Sequence, residues 1–136
     1  MSLFSKRLLE WHKKEGRKDL PWQQDITPYK VWISEIMLQQ TQVSTAIPYF
    51  LKFIQRFPDI DTLANATEDE VLSYWSGLGY YTRARNILKS AQLIKIEFES
   101  TLPKSLKELV TFPGIGRSTA GAIRSIGYGL KAPILD

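Results

Sequence analysis

The chain has 136 residues, is 43% hydrophobic, and sets 18 Lys and Arg against 14 Asp and Glu for a formal charge of +4. That is long enough for one domain burying roughly two-thirds of its unfolded surface, and basic enough to allow a nucleic-acid partner without proving one. With no cysteine and a single His12, these residues exclude a disulfide or cysteine-ligated cluster and disfavour a histidine metal site or a Ser-His triad.

Residues 2–15 space Leu3, Phe4, Leu8 and Trp11 at helical intervals, and Gly16 closes the segment. A loop punctuated by Gly16 and Pro21 covers 16–27. Thr27-Pro28 then offers an N-cap followed by proline at the first helical position, opening a helix that carries Val31, Trp32, Ile36 and Leu38 toward the core. The apolar pattern breaks at Gln39-Gln40-Thr41-Gln42. Thr41 is placed to cap a further helix holding Val43, Ile47, Phe50, Ile54 and Phe57, and Pro48 inside it predicts a kink or a restart. Pro58 ends that segment. A short helical turn follows at Leu63-Ala64, and Thr67-Glu68-Asp69-Glu70 reads as a capping box for a helix with Val71, Leu72 and Trp75.

Gly77-Leu78-Gly79 interrupts the pattern. Residues 80–98 form the longest helix, with Ala84, Ile87, Leu88, Ala91, Ile94 and Phe98 on one face. Ser105 and Glu108 make a second capping box ahead of Pro113-Gly114-Ile115-Gly116, a tight turn whose glycines admit backbone angles closed to other residues. The small-residue helix after it ends at Gly127 and Gly129, and 133–136 is extended. With no repeat and no strand pattern, the chain reads as a single all-α domain of about seven helices. No apolar run approaches the ~18 residues of a membrane span and no secretory leader is visible, so an intracellular soluble protein is expected; a cytoplasmic location, nucleoid-associated if bacterial, and a monomeric state are expected with it.

Helix, glycine hairpin and helix over 105–127 suit a phosphodiester backbone. The unpaired amides at the start of the second helix carry the positive end of its dipole, and an anion can approach Gly114 and Gly116 closely. An ordinary helix–helix connection is the other reading of the same residues. The chain stops at Asp136, a good N-cap after apolar Ile134-Leu135, which reads as a fragment of a longer protein or as a clipped end.

Four stretches stand together: Leu20-Pro21-Trp22; Ser34-Glu35-Ile36-Met37-Leu38-Gln39-Gln40-Thr41-Gln42-Val43; Trp75-Ser76-Gly77-Leu78-Gly79-Tyr80-Tyr81-Thr82-Arg83-Ala84-Arg85; and the hairpin through Gly121-Ala122. The set resembles the MutY family of A/G-specific adenine DNA glycosylases, in the helix-hairpin-helix superfamily that includes endonuclease III, from about residue 8 to residue 136. The resemblance implies a helix-hairpin-helix glycosylase fold, with the six-helix barrel module over about 28–130 and the hairpin unit at 105–127. In the family a [4Fe–4S] cluster held by four cysteines and a domain that senses 8-oxoguanine follow, and neither has a counterpart in these residues. The 136-residue piece alone is accordingly expected to have little or no activity.

The implied reaction is hydrolysis of the N-glycosidic bond of adenine mispaired with 8-oxoguanine or guanine in double-stranded DNA. The adenine must be flipped out of the helix, protonated as it leaves, and its cationic sugar stabilised. By resemblance Glu35 is the general acid at adenine N7 and handles the attacking water. Its apolar helix would favour the neutral acid, though from the residues alone it could equally pair with Lys30 or face solvent. Asp136 matches the second carboxylate, which stabilises the sugar, and is also a plain helix cap. At Ser118 the bifunctional endonuclease III enzymes carry the lysine that forms a Schiff base. Serine cannot, so the resemblance implies a monofunctional enzyme with water as nucleophile. Trp22, Leu38 and Ser118 would line the adenine pocket, and Gln40 and Tyr80 would wedge into the helix beside the opposite purine; a plain core role is the other reading for Trp22, Leu38 and Tyr80. The amides of Gly114, Gly116 and Ser118 would hold phosphate, with the carbonyls of 112–116 as a candidate monovalent-cation site, and Arg83 and Arg85 would add backbone contacts. A pyrimidine- or thymine-directed glycosylase or lyase of the same superfamily, and a DNA-binding module without activity, are the competing readings.

Overall fold

A computed structural model describes residue 21 and residues 25–130. The helix expected over 2–15, Trp22, and the end of the chain from 131 through Asp136 lie outside the described residues. Those described form seven α-helices and no strand: α1 (Pro28–Leu38), α2 (Val43–Arg56), α3 (Ile60–Ala64), α4 (Glu68–Ser73), α5 (Tyr81–Glu97), α6 (Leu106–Leu109) and α7 (Arg117–Ala122). A π-helical turn, Ile123–Gly127, continues α7.

The molecule is arranged around α1. Thr27 caps it, its hydroxyl accepting from the Lys30 amide at 3.1 Å, and Pro28 fills the first turn where an N–H would lack a partner. Every residue from Val31 to Leu38 is buried, as expected of a helix that is apolar on all sides. Its polar exceptions in that run are Ser34, whose hydroxyl donates to the Val31 carbonyl at 2.9 Å, and Glu35. α1 packs on α2, on α7 and on the π turn. The Tyr29 hydroxyl donates to the Phe57 carbonyl at 2.6 Å, fixing the start of α1 to the end of α2.

The sequence patterns are met with local differences. α2 runs unbroken through Pro48, which faces solvent, so the Ser44 carbonyl that loses its helical donor is open to water. Gln42, not Thr41, is its N-cap; the Thr41 hydroxyl donates back to the Gln39 carbonyl at 3.4 Å. Asp59 caps α3 through the Thr62 amide at 2.8 Å. Only half of the first expected capping box is used for capping. Thr67 accepts from the Glu70 amide at 3.1 Å, whereas the Glu70 carboxylate is paired with Arg56 at 2.6 Å.

α5 buries Ala84, Ile87, Leu88, Ser90, Ala91 and Ile94 against α3 and α4. α6 is a single turn, capped by Ser105 through the Glu108 amide at 3.2 Å. The π turn was not legible in the sequence. It lays Gly127 on the first residue of α1 so closely that a Cβ there would sit 2.8 Å from the Pro28 Cα. Among the described residues no helix is long and apolar enough to cross a membrane.

Candidate functional site

Glu35 opens the third turn of α1 and is 1% exposed. A carboxyl held there, between Ser34 and Ile36 on a helix with no other acidic residue, is kept from bulk water. The solvent-facing carboxylate that the sequence also permitted is not what forms.

At the C-terminal end of α1 the chain turns sharply. Gln40 takes a left-handed conformation, φ 60°, and is exposed. Across from it Tyr80, at the start of α5, is also left-handed, φ 54°, with 62% of its surface open. Such angles are uncommon for residues with a side chain and tend to be held only where the surroundings impose them. Both residues expected to enter DNA are thus presented outward on strained corners.

Arg83 accounts for part of that constraint, its guanidinium turned to the protein where the sequence analysis expects it to face DNA. Its Nη1 donates to the carbonyls of Ile36 at 2.7 Å, Met37 at 3.3 Å and Gln39 at 2.5 Å, and its Nη2 donates to Gly79 at 3.3 Å. The guanidinium also stands 5.3 Å from the Tyr80 ring and 5.4 Å from the Trp75 ring. Burial pulls it below the ordinary arginine range, with Tyr80 partly offsetting the shift. These hydrogen bonds hold the side chain against the protein's own carbonyls, where the last turn of α1 has no basic residue of its own to satisfy them. Arg85 stays on the exposed side of α5, with Nε 3.8 Å from a Glu68 carboxylate oxygen.

The hairpin lies against the same helices. A cavity of about 120 Å³ is bounded by Trp32, Ile36 and Gln39 of α1, by Thr82, Arg83, Asn86 and Ile87 of α5, and by Pro113 and Gly114. Its lining includes neither Glu35, Leu38 nor Ser118. Leu38 is a core residue at 5% exposure, and Ser118 is exposed on α7, so the described cavity does not bring the expected adenine-pocket residues together.

The two hairpin glycines differ. Gly114 is left-handed, φ 81°, and a Cβ on it would approach Asn86 Cβ at 3.1 Å. Gly116 has ordinary extended angles and open space around it. Nothing within the described protein crowds a side chain at 116 or asks its backbone for a left-handed angle. Of the candidate cation carbonyls, Pro113 accepts from the Ser90 hydroxyl at 2.8 Å and Phe112 from the Ile115 amide at 3.1 Å, each retaining one lone pair. A cysteine-ligated cluster finds no ligand in a chain without cysteine.

The family model for the HhH-GPD superfamily of base excision DNA repair proteins matches residues 33–136, which includes α1 from its second turn, α5 and the whole hairpin. The chain belongs to that superfamily. This HhH-GPD chain is 58% identical over 134 residues to the adenine DNA glycosylase of Buchnera aphidicola subsp. Baizongia pistaciae, covering 98% of itself and 38% of that protein. It is 40% identical over 145 residues to the human adenine DNA glycosylase, covering all of itself and 26% of that protein. It therefore spans under two-fifths of the length of these relatives. Among solved structures, a thermostable thymine-DNA glycosylase superposes with a TM-score of 0.80 at 23% identity, over 98% of this chain and 62% of that one. A non-covalent endonuclease III–DNA complex superposes with a TM-score of 0.75 at 20% identity, over all of this chain and 65% of that one. Both place the HhH-GPD helices in the helix-hairpin-helix glycosylase fold.

Proposed function

We propose that this chain supplies the adenine-excising half of a monofunctional DNA glycosylase, acting on adenine opposite 8-oxoguanine or guanine in duplex DNA. The observation that carries the reading is Glu35, a fully buried carboxyl on the one helix that runs from the core to the corner bearing Gln40. The flipped adenine takes the Glu35 proton at N7 as its bond to the sugar breaks, and the electrons of that bond leave with the base. Water adds to the cationic sugar carbon and gives its proton back to the Glu35 carboxylate, leaving free adenine and an abasic site. Asp136 is the proposed stabiliser of the sugar cation. Gln40 and Tyr80 fill the space the adenine vacates, and the amides at Gly114, Gly116 and Ser118 hold the backbone, supported by the open space at Gly116.

The test is adenine release from an A:8-oxoguanine duplex by the full-length protein with and without Glu35→Gln. The variant should bind the duplex as the parent does and release adenine at least ~100-fold more slowly, the scale of a lost general acid. Parent-like release would remove Glu35 from the reaction.

The fold likeness to a thymine-DNA glycosylase and to endonuclease III favours one second reading, a pyrimidine-directed glycosylase or lyase. Borohydride should trap no covalent adduct, because Ser118 offers no amine. A trapped adduct with strand nicking would decide for the second reading.

A further inference from the structure

We propose that Arg83 is a positioning residue that locks Gln40 and Tyr80 into a single two-pronged wedge, so that the two enter the duplex together. The inference rests on the reading that these side chains enter DNA, and goes beyond it by naming what holds them in register. Gln40 and Tyr80 lie forty residues apart in sequence, on different loops, and each sits on a left-handed corner. The residue immediately before each corner is held by the same side chain. Arg83 Nη1 takes the Gln39 carbonyl at 2.5 Å, and Nη2 takes the Gly79 carbonyl at 3.3 Å.

Four further contacts make this junction stiff. The same Nη1 gathers the Ile36 and Met37 carbonyls, so the corner at Gln40 is tied to the end of the helix that carries Glu35. The Trp75 indole N–H donates to the Gly79 carbonyl at 3.1 Å from a fully buried ring, anchoring the second corner to the core. The guanidinium lies 5.3 Å from the Tyr80 ring and steadies the exposed aromatic through a cation–π contact. A planar fork can serve both loops at once. A lysine ammonium keeps the charge but is a single point, and cannot hold the carbonyls of Gln39 and Gly79 in fixed separation.

A wedge of two rigidly joined parts has a kinetic signature. Removing either part costs much, and removing the second costs little more, because the pair acts as a unit. The experiment follows fluorescence of 2-aminopurine placed beside the target adenine as the full-length protein binds an A:8-oxoguanine duplex. It compares parent, Gln40→Ala, Tyr80→Ala and the double variant, each with and without Arg83→Lys, and measures adenine release in parallel.

With Arg83 present, each single variant should slow the fluorescence rise about tenfold, and the double variant about twentyfold, well short of the hundredfold expected of independent parts. With Arg83→Lys the two losses should multiply. A hundredfold loss in the double variant with Arg83 present overturns the proposal, and needs no Arg83 variant to fold. Coupling that persists unchanged in Arg83→Lys overturns it as well, since a merely structural arginine predicts that outcome. Failure of the function reading looks different: the variants would show the same coupled fluorescence losses while the parent released no adenine.

Discussion

Three residues show how burial decides chemistry that residue type leaves open. Glu35 and Glu70 are both helix glutamates within reach of a basic residue in sequence, yet Glu70 is partly exposed and paired with Arg56 while Glu35 is withdrawn from water. Tyr29 is the third. Its buried hydroxyl, facing Phe57 and near the charge of Asp59, has its ionisation pushed far above the ordinary 10.0, burial being the larger cause. The folded state therefore prefers the neutral phenol more strongly than the unfolded chain does. That contribution to stability is complete below about pH 10 and is lost as pH rises above it. Thermal melts should show stability falling across that range, and the fall should be shallower in Tyr29→Phe. The same variant should cost about 1 kcal/mol at neutral pH, because the Phe57 carbonyl loses its donor.

Among the elements, the hairpin separates glycine for the fold from glycine for a ligand. Gly114→Ala should destabilise the protein by about 1–3 kcal/mol, since it forces a side chain into a left-handed angle and against Asn86. Gly116→Ala meets neither obstacle and should leave the melting temperature within a few degrees of the parent. It should instead weaken duplex binding, read by titration at several salt concentrations, because a methyl group stands where a phosphate oxygen would approach. Equal duplex affinity in Gly116→Ala and the parent would remove that amide from the interface. Both glycines were legible as a turn from sequence. Their different duties were not, since the neighbour that crowds Gly114 is Asn86, from α5.

At the scale of the molecule, α1 ties the chemistry to stability. Its first residue is pressed by Gly127, its middle carries Glu35, and its last carbonyls are held by Arg83. A methyl group at 127 would lie 2.8 Å from the Pro28 Cα, a backbone atom that cannot rotate aside. Gly127→Ala should therefore shift α1, destabilise the fold by about 1–3 kcal/mol in denaturant titrations, and slow adenine release although it lies outside the proposed site. Unchanged stability and unchanged release together would show that α1 is not so braced.

The sequence by itself determined the order of the described helices, the caps at Thr27, Thr67 and Ser105, and the glycine hairpin. Those features depend on residues a few positions apart, where one helical turn or one tight bend is the whole cause. Only the tertiary structure decided that Glu35 is buried, that α7 continues into a π turn whose Gly127 rests on Pro28, and that Arg83 faces inward to the carbonyls of α1. In each of those cases the deciding partner is distant in the chain, and close packing brings it within ångströms in a way that local periodicity does not encode.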